Sequence, residues 1–290
     1  MSAIIVQRRL DQKWTSSTFE LSAGSSFAAR NAFAVRDLAG GLRHFRLACL
    51  LGWLDIRLRY RGSLLGPFWL TLSTAIMVTS LGWLYAVLFK MDIHEYLPFI
   101  AVSLVLWSSF FAQIVAEACL CFTQAEAMIR SMRMPYTVHA LRTVVRNLLV
   151  LAHNIIVVFV VFLVFRVWPG WHALIAVPGF ALWMVDGAAA CLLLGAICAR
   201  FRDIAPIVGS IMQIAFFLTP IIWKPELVGT NAVYLPLNPF FCLLEIVRQP
   251  LLGASPSAII GAAALGYSVL LVACAWFAFM HARARIAFWV

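Results

Sequence analysis

Charge is what this sequence has least of. Asp, Glu, Lys and Arg make up 12% of its 290 residues, about half the usual share for a soluble domain. The charge that remains is one-sided, with 22 Lys and Arg against 12 Asp and Glu. Motifs that grip phosphate or activate a nucleophile are also missing. Without a G-x-x-x-x-G-K-[ST] run the chain cannot cradle nucleotide phosphates in a P-loop. Without H-E-x-x-H or G-x-S-x-G it has no zinc-protease helix and no nucleophile elbow. The seven cysteines (Cys49, Cys119, Cys121, Cys191, Cys198, Cys242 and Cys274) form no C-x-x-C pair. A zinc or thioredoxin-type reading therefore fails, and they read as small core hydrophobes. The six histidines are scattered over separate segments. No catalytic residue, metal ligand or cofactor site is expected in this chain. Nor is a cleavable signal peptide evident: Arg8-Arg9 is followed by Asp11, Lys13 and Glu20, not by an apolar run.

What the chain does have is hydrophobic length. Apolar residues reach 63% and the mean hydropathy is +0.94. The apolar runs are continuous rather than alternating, which calls for membrane-spanning helices and not a barrel. The net charge of +10 reads as membrane topology and an anionic lipid surface. Nucleic acid is set aside as a partner, because no basic soluble domain exists to carry it. The organising stretch is Leu54–Phe89. It opens with Asp55, Arg57, Arg59 and Arg61, breaks at Gly62-Ser63 and Gly66-Pro67, and then runs without charge from Phe68 to Phe89. About 20 residues of helix cross the hydrocarbon core. A guanidinium is too costly to dehydrate there, so the arginine end should face water on the cytoplasmic side.

Three parts follow from this point. Residues 1–37 mix Ser, Ala, Gly and scattered charge, and are expected to form a mobile cytoplasmic arm. Residues 38–62 carry two apolar stripes at helical spacing, with Arg43, Arg46 and Arg57 between them. Too charged to span and too apolar to be solvated, they suit a helix lying in the interface. Residues 63–290 form an all-α polytopic domain of six spans. These are expected at roughly Gly66–Phe89, Tyr96–Leu120, Asn147–Phe165, Ala173–Ala199, Pro206–Trp223 and Ala258–Met280. Between the last two, residues 224–257 hold five prolines and apolar pieces too short to cross, a pattern of re-entrant or interfacial structure. With this topology only Lys90, Arg166, Lys224 and Arg248 fall outside. The positive bias then puts both termini in the cytoplasm.

Two acids fall within spans. Asp186 lies near the middle of the fourth, and Glu117 toward the inner end of the second. Burying either is costly, on the order of 2.5–3.5 kcal/mol for a central Asp. Asp186 fits a wet, substrate-lining or proton-relay position equally with a hydrogen-bonded structural acid. Glu117 fits the structural reading better. Trp69, Trp83, Tyr85, Trp107, Trp168, Trp171 and Trp223 cluster near span ends. They read chiefly as an interfacial belt, with stacking against sugar rings as the alternative. Gly187-Ala188-Ala189-Ala190 and Gly261-Ala262-Ala263-Ala264 would let helices approach closely.

Four motifs in order carry a family resemblance. They are Asp55 to Trp69 (DIRLRYRGSLLGPFW), Arg200-Phe201-Arg202-Asp203-Ile204, Thr219-Pro220-Ile221-Ile222-Trp223, and Leu237-Asn238-Pro239-Phe240. The chain resembles the permease subunit of ABC-2 type exporters, within them the exporters of O-antigen, capsule and teichoic acid. The resemblance runs from about residue 40 to the end. It implies a homodimer in the bacterial inner membrane, joined to two copies of a separate ATPase subunit that holds ATP and Mg2+. Periplasmic export partners would fit the same scheme. Arg57, Arg59, Arg61, Arg130, Arg133, Pro135 and Tyr136 would then couple to the ATPase. The first and fifth spans would line the path, with Trp69, Phe216 and Phe217 near the sugar and Asp186 as a further path residue. Trp223, Pro225, Asn238 and Pro239 would form a periplasmic gate, and the cargo would be a lipid-linked glycan. Two rivals remain: an exporter of small hydrophobic drugs on the same fold, and an ion-coupled secondary transporter working through Asp186.

Overall fold

The computed structural model describes residues 26–62, 66 and 68–290. The expected arm before residue 26, and Ser63, Leu64, Leu65 and Pro67 of the first motif, lie outside the described residues. Helices α1 (Phe27–Arg43) and α2 (Phe45–Arg59) are separated by His44 alone. Ser26 caps α1 by accepting from the Ala29 N–H at 3.3 Å. The ordered helix thus starts eleven positions ahead of Leu38, inside the stretch read from sequence as arm.

Five helices are long and apolar enough to cross a membrane. They are α3 (Phe68–Leu88), α4 (Ile93–Cys119), α6 (Tyr136–Phe165), α7 (Ala176–Arg200, preceded by a 3-10 stretch over Gly170–Ile175) and α10 (Ala258–Ala282). Short α5 (Glu126–Ser131) lies between α4 and α6, and Pro135 starts α6 as its N-cap. Among the described residues there are no strands. The all-α polytopic class expected from the continuous apolar runs therefore holds.

The fifth expected span is shorter than its hydropathy suggested. Helix α8 runs Ile204–Leu218, 15 residues, or about 22 Å at 1.5 Å per residue, against a hydrocarbon core of about 30 Å. Thr219 ends it in an extended conformation, as the residue before Pro220 must, because the proline ring clashes with a helical predecessor. The chain then passes a 3-10 stretch (Pro225–Leu237) and bends by 110° into α9 (Pro239–Leu251). Phe241, Cys242, Leu244 and Val247 of α9 are buried, so the proline-rich segment folds back into the bundle. That fits its reading as re-entrant.

Arg283, just after α10, lies 2.9 Å from Asp37 of α1. Both ends of the described chain therefore sit at one end of the bundle, which requires an even number of crossings. Beside the five long helices, the shorter apolar elements are α8 and the bent pair Pro225–Leu237 with Pro239–Leu251. The far end of α8 stops inside the protein, where Thr219 and Ile221 are fully buried beneath α9.

Close packing at the arginine-rich end depends on small residues. A Cβ on Gly41 would lie 2.5 Å from Thr137 Cβ, so α1 rests almost directly on the start of α6. Of the two small-residue runs, Gly187 faces Ile114 and Val144 at 3.3–3.4 Å, whereas Gly261 has open space around it. Only the first is an internal seam.

Candidate functional site

Buried charge gathers in three clusters, two of them at the arginine-rich end, and each ties together segments distant in sequence. In the first, Arg142 of α6 grips Asp55 of α2 through two bonds of 2.7 and 2.5 Å. One turn on, Arg146 reaches Asp55 at 3.1 Å and Glu117 of α4 at 2.7 Å. Glu117 also accepts from Arg59 at 3.1 Å, Gln113 at 3.0 Å and Asn147 at 2.7 Å. A buried carboxylate with this many donors is held in place structurally. In the second cluster, Asp37 accepts from the Thr137 N–H and hydroxyl at 3.0 and 2.9 Å and from Arg283. The third lies toward the other end of the bundle. There Arg248 pairs with Glu245 on α9 and donates to Ser103 Oγ at 2.9 Å and to the Pro220 carbonyl. It also lies over the Phe99 ring, 4.6 Å from the centroid.

Arg248 corrects an expectation. The charge count placed it in an outer loop, yet its side chain is 1% exposed. A buried guanidinium needs a full set of acceptors, and α9 re-entering the bundle supplies them.

The residues expected to couple to an ATPase fall into two groups. Arg57 and Arg61 are exposed, and Arg59 turns inward to Glu117. Arg130 pairs with Glu126 at 2.9 Å and donates to the Val290 carbonyl at 2.5 Å. Arg133, Pro135 and Tyr136 line a cavity of about 630 Å3 with Arg36, Asp37 and Arg283. The short helix Ile286–Trp289 closes over this region, with Ile286 and Val290 buried and Trp289 under the Arg200 guanidinium at 5.3 Å. Sequence reading did not foresee that the tail packs on α5.

Helix α8 is thinly packed, with only Met212 and Ala215 buried, and it borders a groove on each side. One, about 600 Å3, lies against α4 and contains Phe216, Phe217 and Trp107; Phe216 and Trp107 stand 6.1 Å apart, ring to ring. The other, about 720 Å3, contains Trp223, Asn238 and Pro239. Asn238 caps α9 by accepting from Phe240 and Phe241, and donates to Thr219 Oγ1 at 3.0 Å. Pro225 opens the 3-10 stretch and lines neither groove. Trp69 and Asp186 are also outside both. Trp69 is exposed on α3. Asp186 is buried between α7 and α10, where Ser268 donates to it at 2.7 Å. Among the described residues no three His, Cys, Asp or Glu side chains gather as metal ligands.

Comparison with known proteins adds a relative to this geometry. The O-antigen export system permease protein RfbA of Myxococcus xanthus is 25% identical over 193 residues, covering 66% of this chain and 74% of that protein. The chain is similar to an O-antigen export permease. The resemblance carried by the four motifs is thereby borne out. No family model matches the chain. A permease relative and several long apolar helices together make this a multi-pass membrane protein.

Proposed function

We propose that this chain is the membrane-spanning permease subunit of an ATP-driven exporter that moves a lipid-linked polysaccharide out of the cytoplasm. The observation that carries the reading is the similarity to an O-antigen export permease over three quarters of that protein's length. Two chains would pair along α3 and α8, whose exposed faces carry Trp69, Trp83, Ile211 and Phe217. Large apolar faces left unpartnered are where a second subunit or a cargo finds its surface. In this scheme the sugar slides past Phe216 and Phe217, and the segment around Trp223, Pro225, Asn238 and Pro239 opens at the periplasmic mouth. Two copies of a separate ATPase dock at the arginine-rich end, against Arg57, Arg61, Arg130, Arg133, Pro135 and Tyr136, with Arg59 transmitting their movement to Glu117. ATP and Mg2+ bind to that partner. Both termini would be cytoplasmic, in the inner membrane. Closure of the ATPases would press on α5 and move it as a lever on the spans.

The test is depletion of the protein in its own host, followed by glycan analysis of surface and inner-membrane fractions. Loss of surface glycan with lipid-linked glycan accumulating inside supports the reading. Unchanged pools alongside altered tolerance to hydrophobic drugs would replace it with a small-molecule exporter.

A further inference from the structure

A crevice of about 260 Å3 opens between α3, α4 and α6, toward the arginine-rich end. Its lining includes Arg59, Ser73, Thr74, Ser108, Gln113 and Asn154. Polar groups facing hydrocarbon without partners are costly, so a polar crevice within a bundle of spans calls for an occupant.

The chemistry of the walls says what kind. The hydroxyls of Ser73 and Thr74 each donate to the Leu70 carbonyl at 2.9 Å, and Ser108 donates to Leu104 at 2.6 Å. With their protons turned back to their own helices, these groups have lone pairs left to offer. Asn154 is 3% exposed and donates through Nδ2 to Ser109 Oγ at 2.8 Å, while its Oδ1 has no partner. The wall therefore accepts hydrogen bonds and needs a ligand that donates them. A π turn over Trp107–Phe111 interrupts α4 at this level and brings Ser108 and Ser109 together onto the crevice. Such turns are frequent at functional sites.

At the floor the requirement reverses. Arg59, Arg142 and Arg146 share only Asp55 and Glu117, which leaves one positive charge uncompensated. Arg59 has the most exposed side chain of the three, 43% against 20% and 9%. It stands with Gln113 on the same oxygen of Glu117, beside the crevice. An anion placed here meets a guanidinium with donors to spare.

We propose that this crevice binds the head group of a membrane lipid. Its phosphate lies against Arg59, and a hydrogen-bond-donating group next to the phosphate lies against Ser73, Ser108 and Asn154. Ethanolamine phospholipids and sugar-phosphate lipids share this chemistry. The site goes beyond the export reading and stands whether or not the cargo is a glycan.

The test is isothermal titration of the purified full-length protein in detergent with four probes: short-chain phosphatidylethanolamine, short-chain phosphatidylcholine, a short-chain alkyl glucosyl phosphate, and inorganic phosphate. The ethanolamine or the glucosyl lipid should bind at least about tenfold more tightly than the choline lipid, which has the phosphate but no donor. Whichever of the two binds more tightly names the source. Arg59→Gln should weaken all lipid binding about tenfold, while Arg57→Gln, outside the crevice, should leave it unchanged. Ser73→Ala with Ser108→Ala removes little volume and should erase the preference for the donor-bearing lipids. Binding of the choline lipid as tight as that of both the ethanolamine and the glucosyl lipid would overturn the proposal. So would inorganic phosphate binding as tightly as the lipids, indifference to both sets of variants, or no binding of any lipid.

Discussion

Removing Glu117 should be among the most damaging single changes in this protein. Its carboxylate and the Arg146 guanidinium are each 9% exposed in their side chains and 2.7 Å apart. Glu117→Ala leaves Arg146 with Asp55 alone, at 3.1 Å, and strips an acceptor from Gln113 and Asn147. Breaking a buried pair costs about 3–5 kcal/mol, because the charge left behind is desolvated without compensation. Since Asp55 still shares Arg146, the lower end applies, about 3 kcal/mol, or roughly a hundredfold in the unfolding equilibrium. Reversible unfolding of the purified protein in mixed detergent, followed by circular dichroism, reads this directly. Glu95→Ala is the internal standard: its partner Lys224 is 3.5 Å away and Glu95 is 76% exposed, so the loss should stay below about 1 kcal/mol. Glu117→Leu combined with Arg146→Met should recover much of the stability, because both charges leave together and Asp55 keeps Arg142. A loss for Glu117→Ala no larger than for Glu95→Ala would refute the reasoning. So would a double variant weaker than the single one.

Other consequences follow from the same geometry. Arg248→Met leaves Glu245 buried without its partner, and should cost about 3–5 kcal/mol in the same unfolding assay. Asp186→Asn keeps a hydrogen bond to Ser268 and should change stability by no more than about 1 kcal/mol. Export should persist at normal membrane levels; its complete loss would give Asp186 a mechanistic role. Arg130→Glu with Arg133→Glu reverses two charges at the arginine-rich end and should release the ATPase on co-purification or uncouple its hydrolysis from export. An intact complex with unchanged export would remove these residues from the docking surface.

The long spans were legible because each holds a long apolar run, broken by at most one acid, that nothing but lipid or a packed bundle can accommodate. Helix α8 was overextended because Ile221, Ile222 and Trp223 continue its apolar run past the point where it stops. The deciding signal was local and present, a proline at 220 that forces Thr219 out of the helix. Helix α1 was hidden for the opposite reason. Residues 27–37 look like a polar arm, and only distant partners, Thr137 and Arg283, make burial of Asp37 tolerable. The ion-pair clusters were invisible for the same cause: Asp55 and Arg142 lie 87 positions apart, Glu117 and Arg146 29 apart. A hint did exist, since Arg142 and Arg146 are spaced one helical turn apart and so share a face. Arg248 was misplaced because counting cations by loop assumes that a cation in a proline-rich segment is solvated.

The central claim is ATP-driven movement of a lipid-linked glycan, and inside-out membrane vesicles test it most directly. Vesicles carrying this protein with its ATPase and a labelled glycan lipid are given ATP, and the glycan remaining open to an added glycosidase is measured. The account predicts that ATP makes the glycan inaccessible, that a non-hydrolysable analogue does not, and that dissipating the proton gradient changes nothing. Protection that proceeds without ATP and collapses with an ionophore would contradict it, and would return Asp186 to the centre of an ion-coupled mechanism.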